Sequence, residues 1–370
     1  MASPRIRIVG AYAGETGDVV VEGICPPPCK TMDEYRTWFK NNDSLRKVLM
    51  YEPRGRPTMF VNVVLPPPIS TEKADYGLII MESSCKEYPK LSGSNVMCVV
   101  TVLRETGRIP QGSLEDPDDP KSLYKQAVKI ATAARSRPIT AYAHCDRYGR
   151  CVGASFDNVP SYFHKRYDGV ELPDPNPDPD STPNTVKVSV DVAYGGLVCA
   201  FVDTRAVLHR SLQKEDAVKL AKQGKVWRDK INQIVDPEKQ VDIVIVYDDE
   251  DHPDINDKIS ASTMMTILPS QVIDRGPCGT CTSARMAVLE KYGQLGHSFE
   301  NRHILDPKNN KFIGTITEGS PSVDGGIYTT IRGRAYITGY REVVVDPEDP
   351  NPEGFRLNDI WPDAGDPCQD

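Results

Sequence analysis

Cys278 has the local sequence that best suits chemistry. In Asp274-Arg-Gly-Pro-Cys-Gly-Thr-Cys-Thr-Ser-Ala-Arg-Met-Ala-Val-Leu289, Pro277 and Gly279 make a turn, and helix formers follow from Thr280 onward. The pattern predicts a loop that delivers Cys278 to the N-terminus of a helix. Unpaired N–H groups and the positive end of the helix dipole stabilise a thiolate there. The expectation is therefore a pKa lowered by a unit or two from the ordinary ~8.5 of a thiol. The main-chain N–H groups of Gly279, Thr280 and Cys281 could hold a substrate carboxylate. A base and an anion site at one helix end suit proton abstraction α to a carboxylate. A buried helix-cap cysteine with no chemical role has the same local signature.

Spacing offers a rival. Cys278-Gly-Thr-Cys281 is a C-x-x-C, as in thiol oxidoreductases or half of a zinc site. Cys25 and Cys29 are a conceivable second pair, but no further C-x-x-C or H-x3-5-H follows, and no metal is expected. His144, His164, His209, His252, His297 and His303 are scattered without ligand spacing. The sequence has no G-x-S-x-G elbow, no G-x-G-x-x-G and no P-loop, so neither a hydrolase triad of that kind nor a nucleotide cofactor is expected.

A chain of 370 residues is too long for one ordinary core and suits two domains. Its 39% hydrophobic and 26% charged residues, with 31 prolines and 27 glycines, describe a folded protein with many turns. The net charge of −8 argues against nucleic acid or an anionic membrane surface as the main partner. Apolar runs such as Leu197–Val202 are too short to span a bilayer. Without a secretory signature at the start, the expectation is a cytoplasmic protein with free thiols. Cys85, Cys98, Cys145, Cys151 and Cys199 then read as small buried apolar residues.

Strand signals occur at Arg5–Val9, Val19–Val21, Gly77–Ile80, Val186–Val190, Val241–Tyr247, Ile327–Ile331 and Ala335–Thr338. Val96–Leu103 reads as helix because Ser92-Gly-Ser-Asn95 precedes it, or as strand because it is rich in valine. Lys214–Ile234 has helical spacing with Ala217, Leu220, Ala221, Val226 and Ile231 as its apolar positions, and Lys121–Thr132 also has helical spacing. The Pro-acid run Leu172–Pro183 reads as a solvated loop near a domain boundary, and Glu115–Pro120 as an exposed turn. The double glycine Gly195-Gly196 permits close backbone approach.

The block from Asp274 to Ala287 strongly resembles the proline racemase superfamily, whose motif is Asp-Arg-Ser-Pro-Cys-Gly-Thr-Gly-Thr-Ser-Ala. Gly276 and Cys281 are the departures here. Tyr51–Arg56, Phe156–Ser161, Asp191–Gly196, Gly333–Gly339, Asp346–Pro350 and Pro352–Phe355 resemble further blocks of that family in the same order. The resemblance implies an α/β, diaminopimelate epimerase-like fold of two similar domains, each with curved sheet around a central helix. The active site is then expected in the interdomain cleft, with one catalytic residue at the N-terminus of each helix. On this reading residues 1–165 plus 341–370 form one domain and 166–340 the other, and Val128–Thr132 becomes a strand.

The family's Tyr-Pro-Pro-Met-Cys-Gly-His segment reads Tyr88-Pro-Lys-Leu-Ser-Gly-Ser94 in this chain. Ser92 stands in place of a catalytic cysteine and Ser94 in place of a substrate-contacting histidine. The family's His-Thr-Gly-Gly-Glu-Pro block has become Ala11–Thr16. Racemisation needs a base on one face of the α-carbon and an acid on the other, and a serine hydroxyl without a neighbouring base cannot strip a Cα proton. Within the family, Ser or Thr at this position goes with dehydratase activity. The resemblance thus implies dehydration of trans-3-hydroxy-L-proline, with Cys278 and Ser92 catalytic and no cofactor. Asp274 would bind the ring nitrogen, and Gly93, Ser94, Asn95, Gly279 and Thr280 the carboxylate. A racemase or 4-hydroxyproline 2-epimerase is the alternative, as is a repurposed member that acts on another substrate or only binds it. Leu197, Val198 and Cys199 replace bulkier residues expected around the pocket. A small imino acid is the expected partner, and a homodimer is left open.

Overall fold

A computed structural model describes residues 5–70, 73–83, 88–134, 137–176, 184–251, 258–268, 272–317, 325–357 and 359–361. Cys85 and residues 177–183 of the Pro-acid run lie outside these. The chain divides into two compact units, Met1–Phe156 with Arg332–Asp370, and Asp157–Ile331. Each division falls nine residues before the 165/166 and 340/341 positions expected from sequence.

The first unit opens with strands β1 (Ile6–Ala13) and β2 (Glu15–Glu22), helices α1 (Met32–Asn41) and α2 (Ser44–Met50), and strands β3 (Met59–Leu65) and β4 (Tyr76–Glu82). Helix α3 (Gly93–Glu105) follows, then β5 (Ser113–Leu114), β6 (Tyr124–Ala131), β7 (Ile139–Cys145) and β8 (Cys151–Asp157). The second unit contains β9 (Ser161–Pro173), β10 (Thr185–Tyr194), β11 (Val198–Asp203), α4 (Thr204–Leu208), α5 (Ala217–Asn232), β12 (Ile243–Asp251) and β13 (Ile259–Ile267). It ends with α6 (Gly279–Lys291), β14 (Leu295–His303), β15 (Lys311–Ile316), β16 (Gly326–Ile327) and β17 (Thr329–Gly333), after which β18 (Tyr336–Val343) returns to the first unit.

The two units repeat one pairing scheme. In the first, β1–β2 is antiparallel, β2–β3 parallel, β3–β4 antiparallel, β4–β6 parallel and β6–β7 antiparallel. In the second, β10–β11 is antiparallel, β11–β12 parallel, β12–β13 antiparallel, β13–β14 parallel and β14–β15 antiparallel. Each parallel step needs a crossover connection, and the helices supply it in the same places. Helices α1 and α2 connect β2 to β3 as α4 and α5 connect β11 to β12, while α3 and α6 fill the second crossover of each unit.

Helices α3 and α6 are the central ones. Gly93 through Leu103 of α3 and Gly279 through Leu289 of α6 are all buried. A helix enclosed on every side needs no polar face, which is why the Val96–Leu103 run reads poorly as an amphipathic helix. The α6 sequence is polar, and several of its buried side chains find polar partners. Ser283 bonds to Asn158 and Thr329 at 2.7 Å each, and the Arg285 guanidinium pairs with Asp249 and lies 4.0 Å from the centroid of the Tyr247 ring. The expected architecture, two similar α/β domains each with curved sheet around a central helix, is the one the chain adopts.

Several local expectations change. Lys121–Thr132 is not the helix that spacing suggests but, as the resemblance implies for Val128–Thr132, mostly strand. Its core is β6, whose Ala127, Lys129 and neighbours pair in register with β7. In α5 the buried aromatic is Trp227, whereas Val226 points to solvent at 43% exposure. The described residues at the two ends of the Pro-acid run belong to the second unit rather than to a boundary, where Pro173 of β9 pairs with Thr185 of β10. Leu172, at its start, is a fully buried strand residue. Among the described residues, no helix is long and apolar enough to cross a membrane.

Candidate active site

Each central helix begins at a residue singled out by sequence. Cys278 is the N-cap of α6 and Ser92 the N-cap of α3. The first main-chain bond of α6 runs from Thr282 to the Cys278 carbonyl at 3.0 Å, and that of α3 from Val96 to the Ser92 carbonyl at 3.0 Å. Consequently the N–H groups of Gly279, Thr280 and Cys281, and of Gly93, Ser94 and Asn95, lie ahead of the helical ladder and are suited to hold an anion.

In the second unit the loop before Cys278 is held carbonyl by carbonyl. His303 Nε2 bonds the Asp274 carbonyl at 2.8 Å, and Asn310 Nδ2 donates to that of Arg275 at 2.9 Å. Asn301 Nδ2 donates to the Pro277 carbonyl and, at 2.8 Å, to Thr282 Oγ1, which donates in turn to the Cys278 carbonyl at 2.9 Å. Asp274 Oδ1 accepts from the Gly276 N–H at 2.8 Å. Strand β14 thus sets the path of the loop. The Cys278 backbone sits at φ 54°, ψ 107°, a region that L side chains seldom adopt. Such a conformation persists only where surrounding bonds over-determine it, as they do here.

Gly195 completes the support. A Cβ there would meet the Thr280 carbonyl at 2.2 Å and the Ala284 nitrogen at 2.6 Å, so strand β10 ends in contact with the first turns of α6. Asn158 ties these parts together, donating to the Gly195 carbonyl at 2.8 Å as well as to Ser283.

The Cys278 sulfur lies 2.8 Å from that of Cys281 and 3.2 Å from Thr280 Oγ1. Cys278 is partly exposed, while Cys281 and Cys199 beneath it are fully buried. The expected lowering of the Cys278 pKa is not found. The hydrogen bond with Cys281 holds its proton well above the ordinary thiol range, followed by burial, the Cys281 charge and the Asp274 carboxylate; the Thr280 hydroxyl works the other way. Desolvation and a neighbouring sulfur outweigh the helix terminus.

In the first unit, Asn62 of β3 donates to Asn95 Oδ1 at 2.7 Å, which turns the Asn95 amide nitrogen toward Ser92 Oγ at 2.9 Å. Ser92 Oγ also lies 3.2 Å from Ser94 Oγ. Because Ser92 accepts from Asn95, its own hydrogen is directed to Ser94 or to a ligand. Ser92 makes no side-chain cap bond to the helix, contrary to the usual role of an N-cap serine.

The structure therefore brings Asp274, Cys278, Gly279 and Thr280 together at the start of α6, and Ser92, Gly93, Ser94 and Asn95 at the start of α3. Sequence reading missed Asn62, Asn301, His303 and Asn310, which hold these termini from adjacent strands and turns.

A family model described as proline racemase matches residues 8–356. A hydroxyproline epimerase from Agrobacterium vitis, solved with bound trans-4-hydroxy-L-proline, is 28% identical over 98% of each chain, with a TM-score of 0.74. A probable proline racemase from Agrobacterium radiobacter K84, solved with bound carbonate, is 30% identical over 98% of this chain and 99% of that one, with a TM-score of 0.73. A PhzF-family phenazine biosynthesis protein from Bacillus anthracis, 12% identical over 92% of this chain and 99% of its own, shares the fold at a TM-score of 0.55.

Proposed function

Because the chain belongs to the proline racemase family, we propose that it removes the α-proton of a cyclic imino acid with Cys278, and that its reaction is the dehydration of trans-3-hydroxy-L-proline to Δ1-pyrroline-2-carboxylate. The observation that carries this reading is the inequality of the two helix caps: one bears a thiol and the other a hydroxyl.

A carboxylate held by the helix N–H groups draws off the negative charge that develops when the α-proton leaves. The cationic ring nitrogen of the substrate binds Asp274. This offsets the carboxylate that helps keep the proton on Cys278, so ionisation of the thiol accompanies binding. Ser92, already accepting from Asn95, donates its own hydrogen to the departing 3-hydroxyl, which leaves as water. The serine oxygen then regains a proton from solvent and the Cys278 thiol releases the α-proton to solvent, so both groups are reset. The enamine product tautomerises to the pyrroline. Elimination needs a single Cα base, a requirement that one thiol meets.

A second reading, epimerisation of a hydroxyproline at its α-carbon, is favoured by the likeness to the Agrobacterium vitis epimerase. One experiment separates the two. The protein is incubated in heavy water with trans-3-hydroxy-L-proline, trans-4-hydroxy-L-proline and L-proline. Pyrroline formed from the first substrate supports dehydration. Inversion with deuterium at the α-carbon supports epimerisation, and absence of exchange with all three overturns both.

A further inference from the structure

The Cys281 side chain has no part in the chemistry proposed above, yet its sulfur lies beside that of Cys278. The two sulfurs are 2.8 Å apart, so a bond of about 2.05 Å requires an approach of about 0.8 Å. Both residues sit in the first turn of α6, one at the N-cap and one three positions on, so no long loop has to close. Their exposures differ in a useful way. Cys278 is partly exposed and can meet a small reagent, whereas Cys281 is fully buried and meets only protein groups, among them Thr266 Oγ1 at 3.5 Å and Cys199.

We propose that Cys278 and Cys281 are a modification site, a dithiol that a peroxide converts reversibly to a disulfide. The Cys278 thiolate attacks a peroxide oxygen. An S–O bond forms and the O–O bond breaks, and the released hydroxide takes up the proton lost by the thiol. The Cys281 sulfur then attacks the Cys278 sulfenic acid. The S–S bond forms, the S–O bond breaks, and hydroxide leaves as water with the Cys281 proton. Two thiols are oxidised by two electrons and one hydrogen peroxide is reduced to two waters. Cys281 serves as the resolving thiol, which stops Cys278 from advancing to irreversible sulfinic acid. The disulfide also occupies the sulfur that abstracts the α-proton; this consequence for activity rests on the function proposed above.

The test uses the full chain treated with hydrogen peroxide, alkylated with iodoacetamide and digested with trypsin. Both cysteines fall in the peptide Gly276–Arg285. The expected product is that peptide unalkylated and lighter by two hydrogens, restored to the doubly alkylated form after dithiothreitol. In parallel, α-proton exchange falls more than about tenfold and recovers with the reductant. In Cys281→Ala, Cys278 is expected to accumulate as sulfinic acid that dithiothreitol does not reverse. A doubly alkylated peptide after peroxide overturns the proposal, as does sulfinic Cys278 beside an alkylated Cys281 in the unmodified sequence. A disulfide formed in a protein that exchanges no substrate upholds the pair and refutes the role of Cys278 as base. Robust exchange with a peptide that stays reduced does the reverse.

Discussion

His303 and Asp274 are joined by a 2.8 Å bond from the imidazole Nε2 to the Asp274 main-chain carbonyl, and His303 Nδ1 accepts from the Leu305 N–H at 3.2 Å. One ring nitrogen donates and the other accepts, which defines the neutral tautomer. Burial pushes the His303 pKa down to about 4, from an ordinary value near 6.5. Between these values the unfolded chain binds a proton that the folded one refuses, so the stability present above pH 6.5 is lost as pH falls toward 4. Going from about pH 7.5 to about pH 5 should cost about 2 kcal/mol from this residue. Urea unfolding at the two pH values checks it. His303→Gln, which keeps a donor for the Asp274 carbonyl, should show a smaller loss, and an equal loss in both proteins contradicts the assignment.

Cys278 and Ser92 should differ in what their removal abolishes. Cys278→Ala is expected to lower α-proton exchange by at least about a thousandfold, the range of a lost general base. Ser92→Ala should keep exchange but form pyrroline about ten- to a hundredfold more slowly. Deuterium incorporation and pyrroline absorbance, measured on the same samples, separate the two effects. Unchanged pyrroline formation in Ser92→Ala is the result against its proposed role.

The Cys281 hydrogen bond is the largest influence raising the Cys278 pKa. Removing it in Cys281→Ala should therefore shift the pH profile of Cys278 alkylation toward acid. The rate at which iodoacetamide labels Gly276–Arg285, followed against pH, is the measurement. An unmoved midpoint contradicts the cause assigned here.

Gly195→Ala places a methyl group against the backbone of α6, at 2.2 Å from the Thr280 carbonyl. The expected cost is about 1–3 kcal/mol or more, because a main-chain atom cannot step aside as a side chain can. Gly339→Ala, where an added Cβ meets nothing within 4 Å, should change stability by less than about 0.5 kcal/mol. Denaturant midpoints of the two variants give the comparison.

How far these features were legible in the sequence depended on how local their causes are. The start of α6 was readable because Pro277, Gly279 and Thr280 sit beside the cysteine they position. The start of α3 was half readable: Ser92–Asn95 marks a helix, but a valine-rich run enclosed on all sides carries no periodic face. Spacing alone suggests a helix for β6; the resemblance implies a strand over Val128–Thr132, and the pairing with β7 carries that strand back to Tyr124. Asn62 and Asn301 left no signal at all, since a single amide in a strand gains its meaning from the distant carbonyl it meets. The pKa of Cys278 was wrong for the same reason. Helix position was visible in sequence, whereas burial was not.

The backbone angles of Cys278 carry a consequence for how the protein tolerates change. At φ 54° an L residue costs on the order of 1–3 kcal/mol that glycine largely escapes. Cys278→Gly should accordingly yield a sturdier molecule that lacks the thiol proposed as the base. A screen for thermostable variants that ignores turnover would favour inert ones at this position.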